Sequence, residues 1–219
     1  MIKFNNVSKI FEDNLVALDN IDIEFKEGEL VVLKGVSGSG KSTMLSLIAA
    51  LQKPTKGEVI VEDKHISKLP DHFASLYRRD NIGFIFQRYN LIPTMSVREN
   101  ILLPMLPKNM DEAELESALK KVLKMFNIEH KENMIVKNLS GGEQQRVAIA
   151  RSNIASPKII LADEPTANLD ERLSLEFIEI LKEMKSTNRT IIVATHDPLF
   201  FELDFVDRVV EIHQGKIVA

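Results

Sequence analysis

Apolar and polar residues alternate from Ile2 to Val7 and again from Ile21 to Phe25, the period of a half-buried strand. Leu30 to Leu33 is a continuous apolar run, as in a strand buried on both faces. A glycine-rich turn follows it, and then a helical pattern from about Lys41 to Leu51. Glu58 to Glu62 reads as another short strand. In the middle of the chain the period changes. Asp111 with Glu114 makes an N-cap pair, after which Leu115, Leu119, Val122 and Phe126 share one helical face. A second helix is expected from Ser140 to Ala155. The last third alternates again. Ile159 to Ala162 is a buried strand, Leu173, Phe177, Ile180 and Met184 mark a helix, and Thr190 to Thr195 and Val209 to His213 are strands. Strand–helix–strand order with short connections predicts an α/β fold with a mostly parallel sheet, the helical middle lying to one side.

Composition narrows the class. The chain has 219 residues, enough for one large domain or a domain with a subdomain. Hydrophobic residues make up 44% and charged residues 27%, as in ordinary soluble domains. The net charge of -4 argues against nucleic acid as a direct partner. There is no cysteine, so disulfides and thiolate metal sites are excluded. The first residues lack a signal-peptide pattern, and no apolar run approaches the ~20 residues that span a bilayer. A cytoplasmic protein is expected, with any membrane span supplied by another chain.

Chemistry concentrates at two places. The segment from Gly35 through Val36, Ser37, Gly38, Ser39 and Gly40 to Lys41 and Ser42 fits G-x-x-x-x-G-K-[ST] at every fixed position. A buried strand precedes it and a helix beginning with Ser42 and Thr43 follows. Glycines let backbone N–H groups turn toward phosphate oxygens, and the helix N-terminus adds its positive end. Lys41 is expected to reach the β- and γ-phosphates of ATP, and Ser42 to ligate Mg²⁺. The second place is the strand Ile159 to Ala162, which ends in Asp163 and Glu164. Asp163 is expected to help hold Mg²⁺, and Glu164 to polarise the attacking water as general base.

Many phosphate-loop proteins share those two motifs. Leu139-Ser140-Gly141-Gly142-Glu143-Gln144-Gln145-Arg146 is more particular, and it resembles the signature motif of the ABC ATPases without departure. Small residues before a helix leave its N–H groups open to an anion. The resemblance implies that Ser140, Gly141, Gly142, Glu143 and Gln144 bind the γ-phosphate of ATP held by a second copy of the chain. Two copies would then stack head to tail around two ATP. Further segments match the family in order. Gln87, after Gly83-Phe-Ile-Phe, resembles the glutamine that senses Mg²⁺ and water, and Ala167-Asn168-Leu169-Asp170 resembles the loop that crosses the dimer interface. His196 resembles the switch histidine at the γ-phosphate, and Phe11 falls where the family stacks an aromatic on adenine. The implied fold is a single ABC-type phosphate-loop domain over 1–219. Residues 1–87 and 157–219 would form a RecA-like core with an N-terminal antiparallel β subdomain. Residues from about 88 to 156 would form an inserted α-helical signature subdomain.

The stretch from Arg79 through Gln87 to Pro93, with Val97 to Asn100 and Leu103-Pro104, is similar to the macrolide-exporter, lipoprotein-release and cell-division branch of MacB, LolD and FtsE types. The resemblance implies an integral membrane permease subunit as partner, docked after Gln87, where apolar Leu91, Ile92 and Met95 are available to line a groove. The ATPase would then sit at the inner face of the cell membrane. A second class, an ABC ATPase acting on nucleic acid or ribosomes, usually carries long heptads, zinc cysteines or two fused cassettes, and this chain carries one copy of each motif and none of those features.

Overall fold

A computed structural model of the chain describes residues 1–12, 14–108 and 110–218. The chain begins with β1 (Ile2–Ile10), β2 (Val16–Phe25) and β3 (Leu30–Lys34), then α1 (Lys41–Ile48), β4 (Lys56–Val61) and β5 (Lys64–His65). Next come α2 (Asp71–Asn81), β6 (Ile82–Ile85), α3 (Val97–Leu102), α4 (Glu112–Met125) and α5 (Gly141–Asn153). The last part is β7 (Ile159–Asp163), α6 (Glu171–Lys185), β8 (Thr190–Thr195), β9 (Arg208–His213) and β10 (Lys216–Val218).

These strands make two sheets. One is four-stranded, antiparallel, in the order β2-β1-β4-β5. The other is six-stranded in the order β10-β9-β3-β8-β7-β6, parallel throughout except for the β9–β10 pair. The sequence of β3, β7 and β8 dictates that arrangement, because both faces of each strand are apolar. Leu30, Val32, Ile160, Ala162, Ile191 and Val193 face a core shared with α3, α4, α5 and α6. Their neighbours Val31, Leu33, Ile159, Leu161, Ile192 and Ala194 face a second core with α1 and the antiparallel sheet. Burying each such Leu or Ile contributes ~1.5–3 kcal/mol, so the charges of these strands are confined to their tips. Lys34 is paired with Thr195, and Asp163 with Ala194. The carboxyl ends of β3, β8 and β7 therefore lie side by side, the place where open α/β sheets bind ligands.

Three local expectations are corrected. The first two strands are longer than Ile2 to Val7 and Ile21 to Phe25. Asn6 (φ 49°) and Asn20 (φ 51°) sit in left-handed backbone at register shifts that break the alternation. Side chains take up the displaced donors, Asn6 N–H giving to Asp22 Oδ1 at 2.8 Å and Asn20 N–H to Ser8 Oγ at 3.0 Å. The helix after the phosphate loop stops at Ile48 rather than Leu51, because Ala50 turns left-handed at φ 50°. The signature helix ends at Asn153 rather than Ala155, and its Ser140 lies outside it as N-cap. Among the described residues, no helix is long and apolar enough to cross a membrane.

Candidate functional site

The turn after β3 wraps back on itself because its glycines allow it. Gly40, the residue before α1, has φ 111°, and a Cβ there would lie 2.5 Å from the Ala17 carbonyl oxygen. Lys41 is 4% exposed and its ammonium points back under the loop. It donates to the Gly35 carbonyl at 2.6 Å and the Val36 carbonyl at 3.1 Å, and pairs with Glu164 Oε1 at 3.3 Å. The Ser39 hydroxyl is buried without a partner among the described residues.

Asp163 and Glu164 come off the tip of β7 in different directions. Asp163 Oδ1 accepts from the Ser42 hydroxyl at 2.8 Å. Burial pushes the Asp163 carboxyl above its ordinary range, outweighing that hydrogen bond, and the Glu164 charge adds to the rise. Glu164 has φ 44°, a left-handed conformation that an acidic side chain adopts only when its surroundings hold it there. Its backbone N–H donates to the Ala194 carbonyl at 2.8 Å. Its Oε2 accepts from the Thr195 hydroxyl at 3.2 Å and the His196 N–H at 3.4 Å, and lies 3.0 Å from His196 Nδ1. One carboxylate thus bridges the loop lysine and the residue after β8.

These groups surround a cavity of ≈ 290 Å³ lined by Ser37 through Thr43, Gln87, Glu164, His196, Phe11 and Leu15 to Ala17. Phe11 lies on its rim, 37% exposed, with the Lys9 ammonium 5.3 Å from its ring centroid. Gln87 is exposed, and its carbonyl accepts from Asn168 Nδ2 at 2.9 Å. Gly35, Val36 and Asp163 do not line the cavity. The donor set suits a phosphate-bound Mg²⁺. Ser42 and Asp163 offer hard oxygens side by side, and among the described residues no cluster of three or more His, Cys, Asp or Glu could hold an ion alone. Mg²⁺ commonly uses one or two protein carboxylates and completes its shell with phosphates and water.

The signature residues are elsewhere. None of Ser140 to Gln144 lines that cavity. Ser140 caps α5 through a capping box with Glu143, whose carboxylate accepts from Ser140 N–H at 2.8 Å. That N–H, and then Lys131 at 3.0 Å, hold the Glu143 carboxyl below its usual range. Gly141 is exposed, while Gly142 is buried against Leu173 of α6, whose Cδ2 would lie 2.7 Å from an added Cβ. Gln144 donates to the Leu139 carbonyl at 3.0 Å. Of the apolar residues after Gln87, Ile92 is 38% exposed, whereas Leu91 packs on the helical core and Met95 is half-buried.

Several site residues were not assigned a role from sequence. Leu15, Val16 and Ala17 line the cavity beside Phe11, and no motif marks them. Thr195 supports Glu164 and Asp197 accepts from Thr166 at 2.9 Å, contacts hidden in strand ends that look ordinary. Arg151 ties α5 to the Tyr89 carbonyl at 2.6 Å, and burial lowers the pKa of its guanidinium.

Residues 18–167 match the family described as ABC transporter. An uncharacterised ABC transporter ATP-binding protein of Methanocaldococcus jannaschii is 41% identical over 229 residues, 99% of this chain and 95% of that protein. The dimeric structure of that cassette in a post-hydrolysis state, bound to ADP and Pi, superposes with a TM-score of 0.92 at 40% identity, covering 100% of this chain and 97% of that one. The methionine import ATP-binding protein MetN of Haemophilus influenzae is 38% identical over 222 residues, 100% of this chain and 64% of its own length. The macrolide export protein MacB of Campylobacter jejuni is 37% identical over 219 residues, 100% of this chain and 34% of its own length. The likeness to an importer's ATPase thus equals the likeness to an exporter's.

Proposed function

The chain belongs to the ABC transporter family as its ATP-binding, ATP-hydrolysing subunit, and on that premise we propose that it works as a head-to-tail dimer with two ATP at the interface, driving an integral membrane permease. One observation carries this reading. Lys41, Ser42, Gln87, Glu164 and His196 line one cavity, while Ser140 and Gly141 stand exposed at the start of α5 and off that cavity, a helix end suited to an anion. A second copy brings that helix end to the first copy's γ-phosphate.

In this account Phe11 stacks on adenine. Backbone N–H groups from Gly35 to Thr43 cradle the phosphates, and Lys41 exchanges its Glu164 partner for them. Ser42, Asp163 and Gln87 would hold Mg²⁺, which would supply positive charge to offset that of the phosphates. Glu164, released by Lys41 and kept in place by Thr195, takes a proton from the attacking water, and His196 contacts the γ-phosphate. The chain divides functionally near residues 87 and 156. The part between carries the signature and, through Ile92 and its neighbours, meets the membrane subunit. The ATPase therefore sits peripherally at the cytoplasmic face of the membrane. The Arg79 to Pro104 segment favours a partner of the exporter, lipoprotein-release or cell-division kind.

Glu164→Gln tests this function. It removes the base and keeps the shape, so turnover is expected to fall ~10²–10⁴-fold while ATP still binds. Sedimentation with ATP should show a stable dimer. Turnover near wild type refutes the role of Glu164, and a strictly monomeric ATP-bound variant refutes the dimer.

A further inference from the structure

We propose that Gln145 is a positioning residue for Glu164, linking the signature helix of each chain to that chain's own water-activating carboxylate; the inference rests on the dimer reading above. The turn directly after Glu164 is held by three side-chain hydrogen bonds that tie it to three different parts of the fold. Gln145 Nε2, on α5, donates to the Pro165 carbonyl at 2.8 Å. Thr166 Oγ1 donates to Asp197 Oδ2 at 2.9 Å, after β8. Asn168 Nδ2 donates to the Gln87 carbonyl at 2.9 Å. Glu164 itself stands in left-handed backbone at φ 44°. Such a conformation persists only where neighbours over-determine it, and these three bonds, with the Glu164 N–H bond to the Ala194 carbonyl, do so.

Among the three, the Gln145 bond is the buried one, with the residue 3% exposed. It is also poorly explained by stability. The other end of its amide, Oε1, is buried with no partner among the described residues. The unpaired Oε1 is a cost set against the bond that Nε2 makes to Pro165, so stability alone does not explain a glutamine here. What Gln145 supplies is a link. It lies near the start of the helix that Ser140 caps and that contains Gly142, so displacement of that helix by a phosphate of the partner's ATP pulls on the Pro165 carbonyl. The proline ring fixes φ at Pro165, so ψ of that one residue is the only free backbone rotation between the pulled carbonyl and the Glu164–Pro165 peptide. Each chain's engagement of its partner's ATP thereby sets its own carboxylate.

The test uses the full chain with Gln145→Met and Gln145→Glu. Gln145→Met keeps the length and removes the donor. It also leaves the Pro165 carbonyl without that donor, so it is expected to melt within a few degrees of wild type and to keep KM for ATP within about twofold, yet to lose about tenfold in kcat, the scale of one buried hydrogen bond. The double variant Gln145→Met with Glu164→Gln should still dimerise on ATP. Gln145→Glu can donate to Pro165 only when protonated, and burial raises its pKa. Its kcat relative to wild type should therefore recover as pH falls, while the ratio for Gln145→Met stays flat. Unchanged kcat in Gln145→Met overturns the proposal, and so does loss of KM and dimerisation along with kcat, which marks a fault in the helix or the trans half-site. The same pH response in both variants also overturns it. Wild-type turnover and ATP-driven dimerisation in the same assays report separately on the dimer reading.

Discussion

Replacing Ser140 by Ala separates what this residue does for its helix from what it does for ATP. In the free chain its Oγ accepts from Glu143 N–H at a long 3.4 Å and donates to Glu143 Oε2 at 2.9 Å. Glu143 keeps two other partners, Ser140 N–H at 2.8 Å and Lys131 at 3.0 Å, and neither depends on the hydroxyl. The loss of capping should therefore fall at the low end of its range, ~0.5–1 kcal/mol. For a chain of this size that is a drop in Tm of ~1–4 °C. Catalysis should suffer more. A hydroxyl donating to a phosphate makes a charge-assisted bond of ~1.5–3 kcal/mol. It must first give up its bond to Glu143, which puts the net near 1.5 kcal/mol and the loss of kcat at about tenfold. Thermal melting and phosphate release on one preparation check both figures. Turnover within twofold of wild type refutes the phosphate contact, and a fall of ~8 °C or more refutes the claim that the helix start survives.

Asp163→Asn should melt higher than wild type without nucleotide while hydrolysing ATP at least ~10²-fold more slowly. Burial holds the Asp163 pKa up in the folded chain, so its ionised form costs stability at neutral pH. The carboxyl gains its proton as pH falls through the raised pKa, so the gap in Tm between variant and wild type should close in acid; a constant gap contradicts the assignment. Gly40→Ala places a methyl group 2.5 Å from the Ala17 carbonyl at φ 111° and should cost ~2–3 kcal/mol with loss of ATP binding, read by calorimetry; wild-type affinity refutes the account of the loop.

The site was legible in sequence where chemistry demands fixed neighbours. Glycines at 35, 38 and 40 share one short segment with Lys41 and Ser42, and Asp163 and Glu164 are adjacent at the tip of β7, so motif spacing alone marks them. Strands β3 and β8 were legible as apolar runs, α4 by its apolar period, and α1 and α5 by the motifs that open them. Two helices escaped. In α2 only Ala74 and Tyr77 are buried while Phe73 is 56% exposed, so no apolar stripe announces it. Helix α3 is too short for a period, though its Ser96 and Glu99 form a capping box that the sequence does display. Strand β10 was hidden by its length of three residues. The contacts of Gln145, Thr166 and Asn168 were out of reach for a different reason. Each joins a side chain to an atom distant in sequence, and pairing of that kind depends on how elements pack.

Mixed dimers test the central claim, that a working site is built from two chains. Lys41→Ala removes the phosphate lysine, and Gly142→Asp places a carboxylate at the signature helix against Leu173. Each variant alone should lack turnover. Mixed in equal amounts, half of the dimers join one of each, and each such dimer has one composite site free of both changes. ATP hydrolysis by the mixture should rise clearly above either variant alone, toward a quarter of the wild-type rate if sites act independently. A mixture no more active than its parts contradicts the head-to-tail site.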